Sequence, residues 1–174
     1  GSVLEHSSIT LLFNNVSRVF THELVRHRVG TAFSQTSGRY VRCDDIKLWI
    51  PEIINENEQA KTVFHDITEK IENAVKELEK IYDIDNMKEF DKKKVLTSAF
   101  RRIAPNGQGN NIVFTSNHRT MRFILQQRTS IHAEIEIRIV FDMVAKIMKE
   151  NFPNIYQDMS CNENGEWVFE HHKI

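Results

Sequence analysis

The chain has 174 residues, 40% apolar and 27% charged, which excludes a disordered tail and allows an ordinary buried core. Its formal net charge of −1 excludes a bulk positive field that would draw it to nucleic acid or anionic membrane, so any cationic site must be local. Two cysteines, Cys43 and Cys161, are too few for a disulfide framework, and a reducing cytoplasm is the expected setting.

Val3–Phe13 reads as core sequence, with a strand over Ser8–Phe13. Asn14, Asn15 and Ser17 then read as caps of a helix carrying Val16, Val19, Phe20 and Leu24. That helix closes on Arg26-His27-Arg28 and ends at Gly30, and the polar residues beyond it read as a loop. Tyr40–Cys43 is expected as a strand, and Leu48–Pro51 leads into a turn. From Glu56 to Tyr82 a stripe of Val63, Phe64, Ile67, Ile71, Val75, Leu78 and Ile81 predicts a helix buried on that side. A further helix is predicted over Met87–Ile103, ending near Pro105, and a strand over Asn111–Thr115 after Gly107 and Gly109. Helices over His118–Arg128 and Ala133–Asn151 follow, the second carrying Ile135, Ile139, Met143 and Ile147. Asn164-Gly165 signals a turn before a terminal strand at Trp167–Phe169. With no internal repeat and no apolar run of membrane-spanning length, the expectation is one compact mixed domain over residues 1–174.

The chemistry concentrates in arginine clusters. Arg26-His27-Arg28 is followed by Ser37-Gly38-Arg39-Tyr40, and a second cluster comprises Asn117-His118-Arg119 and Arg128. The planar fork of Arg matches phosphate oxygens in pairs, and glycine lets an anion approach the backbone. Arg101-Arg102 forms a third cluster. No GxGxxG or Walker loop is present, so bound phosphates would be held by arginine side chains and helix ends. His22, Glu23 and His27 do not make a zinc motif, because ligands one turn apart need a spacing of four and these histidines are five apart. His171-His172 reads as a solvated tail. Arg119 and Arg128, nine residues apart on one helix, point to nearly opposite sides.

Arg26-His27-Arg28 with Ser37-Gly38-Arg39-Tyr40 resembles the signature of the flavin-dependent thymidylate synthases, the ThyX family. Leu4-Glu5-His6, Asn117-His118-Arg119-Thr120, and Arg128 followed by Ser130–Ala133 and Glu136–Arg138 are similar to further segments of that family, in order along nearly the whole chain. The resemblance implies an α+β fold, helices packed with a mainly antiparallel sheet, in a homotetramer with its sites where subunits meet. It implies reductive methylation of deoxyuridine monophosphate (dUMP) at C5 to dTMP, with FAD as cofactor and with NADPH and methylenetetrahydrofolate as co-substrates. No cysteine nucleophile is implied, and neither nucleic acid nor membrane is an expected partner. Carried over by position, His6, Ser8, Arg26, His27, Arg28, Asn117, His118 and Arg119 would contact the flavin cofactor. Glu23, Arg26, Gln35, Ser37, Gly38, Arg39, Arg101 and Arg128 would bind the nucleotide, Arg101 from a neighbouring subunit. Arg128, Ser37 and His27 would carry the chemistry, Arg128 by favouring loss of the uracil N3 proton and His27 through a pKa near neutrality.

Three departures matter. The loop from Arg28 to Ser37 is one residue longer than the family's spacing, so Thr36 takes the serine's place if no gap is allowed. Glu23 stands where the family commonly has Gln, and Gln35 where some members have Glu. A carboxylate accepts hydrogen bonds but does not donate them, so nucleotide choice is open to change, and a ThyX-like flavoenzyme acting on another pyrimidine nucleotide is one alternative. A non-redox nucleotide- or RNA-binding module is the other. The family's N-terminal segment is expected to be lacking.

Overall fold

The structure is a computed structural model that describes residues 1–37, 43 and 45–171. A 3₁₀ turn at Ser2–Glu5 precedes strand β1 (Ser8–Ser17), helix α1 (Arg18–Leu24) and strand β2 (Thr31–Gln35). Helices α2 (Glu52–Asn55), α3 (Glu58–Ile81) and α4 (Phe90–Phe100) follow, then a 3₁₀ turn at Arg101–Ile103. Strand β3 (Gly109–Asn117) leads into α5 (His118–Arg128) and α6 (Ile135–Asn151), and a hairpin of β4 (Met159–Cys161) and β5 (Trp167–Phe169) closes the fold. The sheet order is β1-β3-β2, and β4 pairs antiparallel with β5, Ser160 opposite Val168. This is the expected mixture of helices and antiparallel sheet.

The chain divides into two compact units, each built from separated segments. The first holds Gly1–Phe13, Phe20–Ser34 and Ile112–Ile174; the second holds Asn14–Val19 and Gln35–Asn111. In the first, Phe13, Phe20, Phe114 and Phe141 pack as one aromatic cluster, with ring centroids 5.2 Å apart for Phe13–Phe20 and 6.2 Å for Phe20–Phe141. Each such pair adds about 0.5–1.5 kcal/mol beyond the area it buries. Around it lie the fully buried Leu24, Ile112, Met121, Ile124, Leu125 and Ile137. In the second, Cys43, Ile46 and Val75 form a small core against Ile71 and Ala104. Asn57 caps α3, its side chain accepting from the Gln59 and Ala60 amides.

Four expectations need correcting. Asn14–Ser17 is strand: β1 runs on to Ser17, with Asn15 in a left-handed conformation (φ 55°) that asparagine tolerates and its amide held by Asn111 Oδ1 at 2.8 Å. The stretch after Gly30 is the strand β2. Its only bulky apolar residue is Phe33, which stacks on Phe114 at 5.3 Å and leaves too weak an alternation to read. Val3 and Leu12 are exposed, and only Phe13 of the opening run is buried. On α3, Val63, Ile67 and Ile81 are exposed while Val75 and Thr68 are buried, so the apolar stripe is only partly covered. The strand expected at Tyr40–Cys43 lies outside the described residues except for Cys43. Helix α5 and strand β5 fall where the sequence predicts them.

Candidate active site

A cavity of about 810 Å³ opens in the first unit. It draws Arg26, His27, Arg28 and Gly30 from the segment after α1, which ends at Leu24 and not, as expected, on Arg26-His27-Arg28, and Asn117 and Arg119 from the start of α5. These segments meet because the Asn117 amide donates to the Gly30 carbonyl at 3.0 Å and Thr120 Oγ1 donates to the Val29 carbonyl at 2.9 Å. Gly30 has φ +67°, and a Cβ there would lie 2.4 Å from Asn117 Nδ2, so only glycine fits. Asn117 Oδ1 caps α5, accepting from the Thr120 amide at 2.8 Å. Arg119 pairs with Glu5, which also lines the cavity.

Beside the cavity lies a second constellation. Arg128, with its side chain only 14% exposed, donates from Nη1 to Glu23 Oε2 (2.6 Å), from Nη2 to the Glu23 carbonyl (2.9 Å) and from Nε to His27 Nε2 (2.7 Å). His27 must therefore accept at Nε2 and carry its proton on Nδ1. Burial first, then the Arg128 charge, lowers its pKa to about 4, Glu23 opposing. The expected near-neutral His27 is thus corrected: at pH 7 the ring is neutral and is not a proton donor at Nε2.

The remaining predicted residues divide. His118 is buried, its Nδ1 2.9 Å from Tyr156 Oη and its ring 4.9 Å from Phe152. It faces the core of the first unit and is not among the cavity's lining residues, contrary to the expected flavin contact. Helix geometry allows this: His118 and Arg119 are about 100° apart around the α5 axis, so one can face the core while the other lines the cavity. His6, Ser8, Gln35 and Ser37 are exposed and line neither cavity. Gly38 and Arg39 lie outside the described residues. Arg101 belongs to a separate cavity of about 630 Å³ in the second unit, with Arg18, Lys47, Arg102 and Thr36. Its Nη2 donates to Ser98 Oγ at 3.0 Å, while its buried Nε meets no acceptor among the described residues. Thr36, not Ser37, lines this cavity, its amide fixed to the Asn111 carbonyl at 2.9 Å.

The sequence reading missed Arg122, Phe123, Phe169 and His171, all of which line the larger cavity. Phe123 is exposed, one turn past Arg119, and its ring meets His27 edge-on at 6.3 Å. An exposed phenylalanine beside arginines on a helix face is the signal that was available.

The α+β chain thus presents an arginine-lined cavity with a flat aromatic beside it, a lining whose chemistry suits a phosphate-bearing ligand. The family profile described as thymidylate synthase complementing protein matches residues 1–154. The chain is 34% identical over 164 residues to a flavin-dependent thymidylate synthase of Corynebacterium diphtheriae, covering 92% of this chain and 65% of that one. It is 33% identical over 169 residues to the Clostridium tetani enzyme of the same name, covering 92% and 66%. Among solved structures it is similar to thymidylate synthase X from Helicobacter pylori with FAD and dUMP, with TM-score 0.66 and 19% identity over 90% of this chain and 74% of that one. It is also similar to a UMP/dUMP methylase, PolB, from Streptomyces cacaoi bound with 5-Br dUMP, with TM-score 0.71 and 18% identity over 90% and 73%. The chain belongs to the thymidylate synthase complementing protein family, and spans about two thirds of the length of these curated relatives.

Proposed function

We propose that the chain is the catalytic part of a flavin-dependent thymidylate synthase. It would convert dUMP to dTMP with FAD as cofactor, methylenetetrahydrofolate as carbon donor and NADPH as reductant. The observation that carries this reading is the meeting of Arg26-His27-Arg28 with Asn117 and Arg119, distant in sequence, around one cavity. The donor set fits the cofactor: Arg26, Arg28 and Arg119 offer forks for a diphosphate, and Phe123 offers a flat apolar surface for a ring system. Bound there, FAD supplies the redox chemistry. The chain's own residues bind and orient. Arg128 presents a fixed positive charge that stabilises an anionic pyrimidine ring, and neutral His27 holds the Arg128 side chain in line through Nε2. Ser37, Gly38 and Arg39 would hold the nucleotide phosphate, and Arg101 would reach the nucleotide of a neighbouring subunit.

A homotetramer is part of the proposal. Ile135, Ile139, Met143 and Ile147 recur every fourth residue on α6 and are all exposed, a stripe suited to burial between subunits. No helix among the described residues is long and apolar enough to cross a membrane, and the cytoplasm is the proposed location.

The test is an absorption spectrum of the purified chain after FAD is added and the excess removed, before and after dUMP. Retained flavin whose band shifts with dUMP supports the reading, and an assembled but colourless protein overturns it. The Glu23–Arg128 pair favours a second reading, in which the flavoenzyme acts on a different pyrimidine nucleotide. Efficient turnover of dUMP to dTMP removes the need for it.

A further inference from the structure

Arg122 and Asp158 form a buried fork-to-fork ion pair. Nη1 donates to Asp158 Oδ1 and Nη2 to Oδ2, both at 2.7 Å, and the side chains are 6% and 7% exposed. Nη1 also donates to the Ile155 carbonyl at 2.8 Å, and the guanidinium lies 4.1 Å from the centre of the Phe169 ring. Arg122 stands on α5, within the span that the family profile matches; Asp158, Phe169 and His171 lie beyond its end at residue 154. The pair thus ties the β4–β5 hairpin to the helix that floors the cavity.

Its reach extends to one further residue. The His171 amide donates to Asp158 Oδ2 at 3.1 Å, and the His171 carbonyl accepts from Arg122 Nη2 at 3.4 Å. Both backbone groups of His171 are therefore pinned by the same ion pair, and the residue lines the cavity with Arg26, Arg28 and Arg119. Of the four arginines in the lining, Arg122 is compensated by Asp158 and Arg119 by Glu5, so Arg26 and Arg28 supply the positive charge that suits an anion. The imidazole of this exposed residue adds a donor that no arginine fork supplies: a single, directional N–H.

We propose that His171 is a ligand-binding residue of this cavity, donating to a phosphate or diphosphate oxygen of the ligand, and that Arg122 and Asp158 are the residues that position it. The choice of FAD as a probe rests on the function proposed above; the anion chemistry does not. A dinucleotide diphosphate and a mononucleotide phosphate share this chemistry, and the probes separate them.

The experiment uses the full chain, with histidine ring resonances followed by NMR and that of His171 assigned by H171Q. Inorganic pyrophosphate, FAD, dUMP and riboflavin are titrated in turn. The expected result is a saturable shift of the His171 resonance with pyrophosphate and with whichever of FAD or dUMP the site takes, and none with riboflavin. H171A is expected to weaken that ligand about tenfold, the share of one charge-assisted hydrogen bond, and to leave riboflavin binding unchanged. R122K, which keeps the charge and loses the fork, is expected to move the His171 resonance in the ligand-free protein, and the double variant H171A/R122K should bind no more weakly than H171A. Should R122K fail to fold, the H171A titrations decide alone. Wild-type affinity in H171A, or pyrophosphate binding without a His171 shift, overturns the proposal, as does a chain that binds no pyrophosphate. Pyrophosphate binding through His171 in a chain that takes no FAD would sink the flavin reading and leave this one standing.

Discussion

Breaking the Arg122–Asp158 pair should destabilise the first unit well beyond an ordinary surface charge change. Both side chains are almost fully buried and meet in two 2.7 Å bonds. The Arg122 hydrogen bonds hold the Asp158 carboxyl at about 2, against an ordinary 3.8. At about 1.4 kcal/mol per pKa unit that depression corresponds to roughly 2 kcal/mol of stability at neutral pH. Removing one member strands the other without water, for which buried pairs lose about 3–5 kcal/mol. R122M should therefore lose about 3–5 kcal/mol, and D158N, which keeps the shape and an acceptor, about 2–4 kcal/mol. Urea denaturation at pH 7, compared at unchanged slope, measures both. R122M/D158L should recover part of the loss, because no buried charge remains. The pH dependence carries the sign. A depressed carboxyl stabilises fully above its unfolded pKa of 3.8, and the contribution fades as pH falls through about 2. D158N should lack that fade. Losses below about 1 kcal/mol in both single variants, the range of exposed pairs, would refute the reasoning.

Alanine at Gly30 must adopt φ +67° and place its Cβ 2.4 Å from Asn117 Nδ2. G30A should therefore lose about 1–3 kcal/mol in the same urea assay, and unchanged stability would mean the turn relaxes freely. Glu23→Gln keeps an acceptor for Arg128 and removes the compensating charge. Calorimetry should then find dUMP bound about three- to tenfold more tightly, and an unchanged Kd would show that Glu23 does not compete for Arg128. His27, lowered to about 4, stays neutral when folded while the unfolded chain takes up a proton near 6.5. Stability should decline as pH falls from about 6.5 towards 4, and H27Q should flatten that decline. An imidazole midpoint above 6 by NMR would contradict the Arg128 contact.

Much of the fold was legible because helical periodicity survives in sequence whatever the helix packs against. Helix α5 begins at His118 since Asn117 is a good cap, and it stops at Arg128 before Thr129-Ser130. Strand β2 was not legible. Thr31–Gln35 owes its pairing to neighbours contributed by β3, over 70 residues away in sequence, and only Phe33 marks its inward face. Nor could periodicity tell that Val63 and Ile67 on α3 would be exposed, because an apolar stripe looks the same whether its cover comes from this chain or from another.

The site was legible in kind and illegible in bookkeeping. Residue types alone mark Arg26, Arg28, Arg119 and Arg128 as anion binders, yet they do not say how each charge is already engaged. Arg128 offers five donors, and three of them point at Glu23 and His27 within the chain. Arg119 meets Glu5, and Arg122 is committed to Asp158. A ligand anion therefore has to compete with resident carboxylates at Arg119 and Arg128. That competition makes affinity depend on which carboxylate yields. Glu23 is held within the same turn as Arg26, 3.8 Å away, so leaving Arg128 would still keep it beside a cation. The exchange of partners, Glu23 from Arg128 to Arg26, keeps every charge compensated. It gives a carboxylate at position 23 a way to accommodate an anionic ligand that a neutral amide there would never need.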